Sequence, residues 1–139
     1  MGTTIRAELA TTHKYWISKH RYYELKHFCL QYSEWRKAYN AIDDLIISSP
    51  SLDEVVSTNN ISNPTERYAL AKIAYLDKID MVEKAAKDAD PDIWNYILKA
   101  VTEELSFSHL KTKLEIPCGK DMYYDRYRKF FWLLSKARQ

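Results

Sequence analysis

The chain is almost free of the two residues that most often interrupt helices. It contains 2 Gly and 4 Pro in 139 residues, and the 35 residues that begin at Thr12 contain neither. Turn-rich β architectures place many such residues at their hairpins, so this composition argues against them. The scarcity of both residues predicts an all-α protein.

Apolar side chains recur at helical spacing in the N-terminal third of the chain. From Tyr15 to Trp35, aromatic and aliphatic residues return every three or four positions. This period is typical of an amphipathic helix. Ser33 is a favourable N-cap residue and is expected to begin a second helix that runs to about residue 47.

A change of composition divides the chain near its middle. Residues 48–64 are dense in Ser, Asn and Pro, which predicts a linker. A third helix is expected to begin near Thr65, with an apolar stripe from Tyr68 to Ala86. The sequence therefore predicts an N-terminal helical part with the linker, residues 1–60, and a C-terminal helical part, residues 61–139.

The C-terminal part contains signals for three more helices. Asp90 is a good N-cap for a fourth helix, and Ser106 for a short fifth one. Pro117 is expected to end the fifth helix, and Gly119 to admit unusual backbone angles in the turn. A long final helix is expected from about Lys120. Two helices joined by a short turn predict a helix-turn-helix over residues 106–137.

Charge is distributed unevenly along the chain. Its formal net charge is +2. Residues 1–39 carry +4, residues 40–110 carry −7, and residues 111–139 carry +5. A basic terminus beside an acidic middle favours nucleic acid as a partner.

The final helix separates its aromatic and charged residues by face. On a helical wheel the packed stripe is Tyr123, Tyr127, Phe130, Leu134 and Ala137, and the opposite face is Asp121, Asp125, Arg128, Lys129, Trp132 and Lys136. The second helix of a helix-turn-helix enters the major groove. The predicted DNA contacts are Lys111, Lys113, Lys120, Asp121, Tyr124, Asp125, Arg128 and Lys129. A basic surface helix that docks on the domain is the alternative interpretation.

Trp132 lies on the charged face of this helix, although its side chain is large and aromatic. Burial of such a side chain typically contributes about 1.5–3 kcal/mol. We therefore expect Trp132 to be covered, by the N-terminal aromatic residues around Tyr22, Phe28 and Trp35 or by a second subunit.

No pattern for catalysis, a metal or a cofactor is present in the sequence. His13, His20 and His27 are seven residues apart, which places successive imidazoles about 10.5 Å apart along a helix, too far to share one ion. Cys29 and Cys118 form no CxxC pair, which favours two buried or half-buried thiols in a reducing cytoplasm. We expect a protein that is not an enzyme and uses no cofactor.

The C-terminal segment resembles the helix-turn-helix of small phage late-transcription regulators. The similarity rests on "LEIPCGKDMYYDRYRKFFWLL", residues 114–134, within about the last 45 residues of the chain. These regulators are of the RinA and ArpU kind, and their fold is related to the DNA-binding region 4 of sigma factors. The resemblance implies sequence-specific binding to duplex DNA upstream of phage late or packaging genes, without a cofactor.

The expected function is therefore that of a phage or prophage DNA-binding protein that regulates late transcription in the cytoplasm. Its partner is double-stranded DNA, with host RNA polymerase, another protein or a second copy of the chain as further candidates. No apolar run approaches the roughly 20 residues of a membrane span, so no membrane partner is expected. Two alternatives remain open: a small DNA-packaging, terminase-like subunit, and a helical protein-interaction module such as a phage inhibitor of a host or defence protein.

Overall fold

The computed structural model describes residues 13–48 and 64–139, and all regular structure in these residues is helical. The all-α prediction is confirmed. The helices are α1 (Lys19–Leu30), α2 (Tyr32–Ser48), α3 (Pro64–Ala89), α4 (Trp94–Glu103), α5 (Phe107–Thr112) and α6 (Lys120–Ala137). Residues 49–63 of the predicted linker, and with them the boundary at residue 60, lie outside the described part.

The described helices fall into two compact units. The major unit contains α1, residues 81–89 of α3, α4, α5 and α6, whereas the minor unit contains α2 and residues 64–80 of α3. This division differs from the expected one, because α1 belongs with the C-terminal helices. The physical reason is that α1 packs on both α4 and α6.

The core of the major unit is apolar and rich in aromatic side chains. Its fully buried large residues are Tyr22, Leu25, Cys29, Val82, Ile97, Leu110, Ile116, Tyr123, Phe130, Phe131 and Leu134. Each burial of a large apolar side chain contributes about 1.5–3 kcal/mol. The packing of α1 against α6 therefore fixes the orientation of the final helix within this unit.

Serine residues cap two helices of the major unit. The Oγ of Ser18 accepts from the main-chain N–H of Arg21 at 3.3 Å at the start of α1. The Oγ of Ser106 accepts from the main-chain N–H of His109 at 3.2 Å at the start of α5, as the sequence predicted. The break between α1 and α2 is at Gln31, two positions before the predicted one.

In the minor unit, polar contacts join α2 to the first part of α3. Lys72 forms an ion pair with Asp43 and lies over the ring of Tyr39, with Nζ 5.2 Å from the ring centroid. Large apolar side chains remain exposed in this unit: Leu45, Ile47, Tyr68, Leu70, Ile73 and Leu76. Tyr68 was predicted to lie on the packed stripe of α3, but it is exposed and lies about three turns before Ile79, the first buried residue of that stripe.

Candidate nucleic-acid interface

A connection of seven residues, 113–119, leads from α5 into α6. It is longer than the three or four residues of the simplest helix-turn-helix. Glu115 adopts a left-handed conformation with φ 54°, and the N–H of Ile116 donates to the carbonyl of Leu110 at 3.1 Å. A left-handed residue just after a helix is usually glycine. Gly119 has an ordinary φ of −83° and precedes α6, so the expectation of unusual backbone angles there was wrong.

The packed face of α6 is mostly as predicted. Tyr123, Phe130 and Leu134 are buried, and Phe131, which lies next to this stripe, is buried with them. Of the other residues predicted for this stripe, Tyr127 is half-buried and Ala137, the last residue of the helix, is exposed. The aromatic residues of the helix therefore serve the core of the major unit.

A pair of phenol groups joins α1 to α6. The hydroxyl oxygens of Tyr22 and Tyr127 are 2.7 Å apart and share a hydrogen bond. Both rings also contact Phe131 edge-on, with centroids 5.0 Å from it. Burial raises the pKa of Tyr22 and raises that of Tyr127 well above its ordinary value, so both phenols remain neutral.

The residues predicted to contact DNA differ in their exposure. Those with exposed side chains are Lys111, Lys113, Lys120 and Asp121, and those with half-buried side chains are Tyr124, Asp125, Arg128 and Lys129. All eight lie on α5, on α6 or in the connection between them. Of the exposed lysines, Lys113 lies in the connection itself and Lys120 directly follows it.

The ammonium group of Lys111 is directed toward the connection between α5 and α6. Its Nζ donates to the carbonyl oxygens of Ile116 at 3.5 Å and Cys118 at 3.4 Å. Both are long hydrogen bonds. Lys111 thus holds the connection in place as well as adding charge to it.

Tyr124 lies at the edge of the aromatic core. Its ring contacts Tyr123 and Phe107, with centroid separations of 5.1 and 6.1 Å, and the Nζ of Lys120 is 6.0 Å from its centroid. Burial raises the pKa of its phenol, an effect that the charge of Arg128 partly offsets. The hydroxyl is therefore a neutral hydrogen-bonding group at the boundary between core and surface.

Two residues beside the predicted contacts form an ion pair that the sequence patterns missed. Arg126 donates from Nε to the buried carboxylate of Asp90 at 3.0 Å and also pairs with Asp125. Asp90 accepts from the N–H groups of Asp92 and Ile93 and so caps the turn before α4, but the N-cap residue of α4 itself is Ile93, three positions later than predicted. Only the N-cap pattern singled out Asp90, and nothing in the local sequence of α6 distinguishes Arg126 from its cationic neighbours.

Trp132 was expected to be covered, and it is half-buried, so this prediction is met only in part. Its ring contacts Tyr15, from the segment before α1, with centroids 5.4 Å apart, and the Nζ of Lys136 lies 3.5 Å from its centroid. The N-terminal cover therefore comes from Tyr15, whereas Tyr22 and Phe28 pack deeper in the core.

The thiols and imidazoles of the described residues are not gathered into a site. Cys29 is buried and Cys118 half-buried, as predicted, and burial raises the pKa of both thiols. Across residues 13–48 and 64–139, no three His, Cys, Asp or Glu side chains are placed to hold a metal ion. His20 and His27 are exposed, and the ring of His13 accepts from the N–H of Tyr15 at 3.0 Å.

We compared the chain with protein families, curated proteins and solved structures. No protein-family model, no curated protein and no solved structure matches the chain. Among the helices that the structure describes, none has both the length and the apolar content needed to cross a membrane.

Proposed function

We propose that this chain is a phage or prophage DNA-binding protein that regulates late transcription and contacts duplex DNA through α5 and α6. The observation that carries the proposal is the division of α6 into two faces. Its aromatic face is buried in the major unit, with Phe130 and Leu134 fully covered, while the other face carries Arg128, Lys129 and Lys136 together with Asp121 and Asp125. A helix held in this way presents its charges at fixed positions, which a groove or a row of phosphates requires.

Four side chains of α6 and of the connection before it support contact with DNA. Lys113 and Lys120 are exposed and can approach phosphate oxygens, and Tyr124, whose ring lies near Lys120, offers a neutral hydroxyl. The Nε of Arg128 is buried and has no hydrogen-bond partner in the described part of the chain. An unpaired buried donor costs about 1–3 kcal/mol, so an arrangement in which a bound phosphate draws the guanidinium outward would relieve this cost.

The test is a fluorescence anisotropy titration of labelled duplex DNA with the full-length chain, at several salt concentrations. We expect the wild type to bind, with an affinity that falls as salt rises. The double variant K113Q/K120Q should bind more weakly, and its log–log salt slope should be smaller by about 1.8, which corresponds to two phosphate contacts.

The matched control is K84Q/K99Q, which removes the same charge from the major unit. Lys84 and Lys99 are exposed and form ion pairs with Asp88 and Glu103 on their own helices. The control should bind DNA like the wild type. A wild-type chain that is folded but does not bind duplex DNA at low salt would falsify the proposed function.

A second candidate function is that of a helical protein-interaction module. The observation in its favour is the set of exposed apolar side chains in the minor unit, including Leu70 at 61% and Ile73 at 55% exposure. Large exposed apolar groups are common where proteins associate. Light scattering at increasing concentration tests self-association first, and the variant L70S/I73S should dissociate any oligomer that this face forms.

A further inference from the structure

The segment before α1 lies against the second half of α6. The ring of Tyr15 contacts that of Trp132, and Ile17 is buried in the major unit. Lys14 and Trp16, which alternate with these residues, are exposed, and the Nζ of Lys14 lies 4.9 Å from the centroid of the Tyr15 ring. The segment therefore packs with its odd-numbered side chains and presents a cation and an indole outward.

The first turn of α1 lies beside the last turn of α6. The guanidinium of Arg21 donates to the main-chain carbonyls of Ser135 at 3.0 Å and Arg138 at 2.6 Å, and to the Oγ of Ser135 at 3.1 Å. The guanidinium of Arg138 lies 3.8 Å from the ring centroid of Phe28 in α1. The start of α1 and the end of α6 thus form one continuous surface, which we name the cationic end.

The cationic end has a high density of positive charge. Residues 13–24 and 128–139 contain seven lysines and arginines but only one acid, a net charge of +6 with histidines neutral. The cations are Lys14, Lys19, Arg21, Arg128, Lys129, Lys136 and Arg138. The acid, Glu24, accepts from the Nη1 of Arg21 at 2.6 Å, so it is already neutralised. Lys14, Lys19, Lys129 and Lys136 form no ion pair with the described acids.

The charged face of α6 changes sign along the helix. Asp121 and Asp125 occupy its first two turns, whereas Arg128, Lys129 and Lys136 occupy the rest. Between residues 118 and 127, two cations are balanced by two acids. Because a polyanion follows the electrostatic potential of a surface, the second half of the helix attracts it in addition to the lysines near the start.

We propose that the cationic end is a second DNA contact, which binds the phosphate backbone of the duplex through Lys14, Lys19, Lys129 and Lys136. This inference rests on the proposed function and extends it from the α5–α6 connection to the opposite end of α6. The rise from Lys120 to Lys136 is about 24 Å at 1.5 Å per residue. That length exceeds the major-groove width of about 12 Å, so the two contacts reach different stretches of backbone.

Phosphate contacts do not depend on base sequence, so the loss of this surface should weaken binding equally on all duplexes. The variant K14Q/K136Q removes two exposed charges from it. We expect binding about tenfold weaker at 0.1 M salt, and a log–log salt slope smaller by about 1.8, on any duplex regardless of sequence. The charge-preserving variant K14R/K136R should bind like the wild type, and circular dichroism should show that both variants are folded.

The same titration with K113Q/K120Q separates this inference from the proposed function. If K113Q/K120Q weakens binding and K14Q/K136Q does not, the proposed DNA contact at the cationic end is overturned and the proposed function stands. If only K14Q/K136Q weakens binding, the cationic end stands and the α5–α6 contact fails. Failure of the wild type to bind any duplex overturns both.

Discussion

Arg126 on α6 donates from Nε to one carboxylate oxygen of Asp90 at 3.0 Å, while the other oxygen caps the turn that opens α4. One buried side chain thereby connects the end of α3, the start of α4 and the middle of α6. The side chain of Asp90 is 6% exposed and that of Arg126 33%, so water screens this ion pair only in part. The contact thus ties α6 to the turn before α4.

Removal of this carboxylate should destabilise the major unit. For D90A we expect the free energy of unfolding to fall by about 1–2 kcal/mol, because two main-chain donors and Arg126 lose their acceptor. D90N keeps an acceptor for the cap and should lose less. Urea unfolding at pH 7 measures both variants, and a D90A protein as stable as the wild type would contradict the capping role.

The pH dependence of stability should report the same carboxylate. Burial alone would raise the pKa of Asp90, but hydrogen bonds from Asp92 and Ile93 and the contact with Arg126 outweigh it and hold the pKa below its ordinary value. The stabilisation is therefore complete above the unfolded pKa of about 3.9 and is lost as the pH falls through the lower folded pKa.

The measurement is the difference in urea midpoint between wild type and D90N from pH 6 to pH 2. The difference should be constant near neutral pH and shrink below about pH 4, where Asp90 becomes protonated in the unfolded and then the folded chain. A difference that does not change with pH would show that Asp90 titrates alike in both states.

The phenol pair of Tyr22 and Tyr127 should behave non-additively on mutation. Y22F or Y127F alone leaves one buried hydroxyl without its partner, so each should lower the free energy of unfolding by about 1 kcal/mol. The double variant removes both polar groups and should cost less than the two single changes together. Strictly additive losses in a double-mutant cycle would contradict the hydrogen bond.

Glycine should be preferred at the end of α5. Glu115 has a φ of 54°, which costs a residue with a Cβ about 1 kcal/mol. E115G should therefore raise the free energy of unfolding by roughly 0.5 kcal/mol, after the greater entropy of glycine in the unfolded chain is subtracted. E115A retains a Cβ and is the matched control, with no gain expected in thermal unfolding.

Arg21 should stabilise the last turn of α6. R21M keeps the apolar stem but removes donors to Ser135 and Arg138, and we expect a loss of about 1 kcal/mol. R21K should recover little, because an ammonium group lacks the planar set of donors. Hydrogen exchange of residues 135–138 should speed up in R21M, while that of α4 stays near the wild-type rate.

Local patterns predicted much of this fold. The helical spacing of apolar residues and the N-cap Ser106 predicted the helices. The helical wheel of α6 identified Tyr123, Phe130 and Leu134 as core residues. These features depend on residues near one another in the chain. The helical wheel alone was enough to find them.

Contacts between distant parts of the chain could not be predicted in this way. The pairing of α1 with α6 joins residues more than a hundred positions apart, as in the bond between Tyr22 and Tyr127. Gly119 was the residue expected to admit unusual backbone angles, whereas Glu115 has the left-handed conformation, because composition indicates where a turn occurs but not which residue adopts its strained angle. The candidate site was only partly located, since the cover of Trp132 by Tyr15 follows from tertiary packing.

The position of Arg21 affects how the end of α6 appears to a charged ligand. The peptide dipoles of a helix add up to about half a negative charge at its C-terminus, where the last carbonyls are unpaired. Left bare, these carbonyls would repel an approaching phosphate. The guanidinium of Arg21 covers two of them, and Lys136 lies in the same turn. An end of a helix that is intrinsically electronegative is thereby converted into part of a positively charged surface.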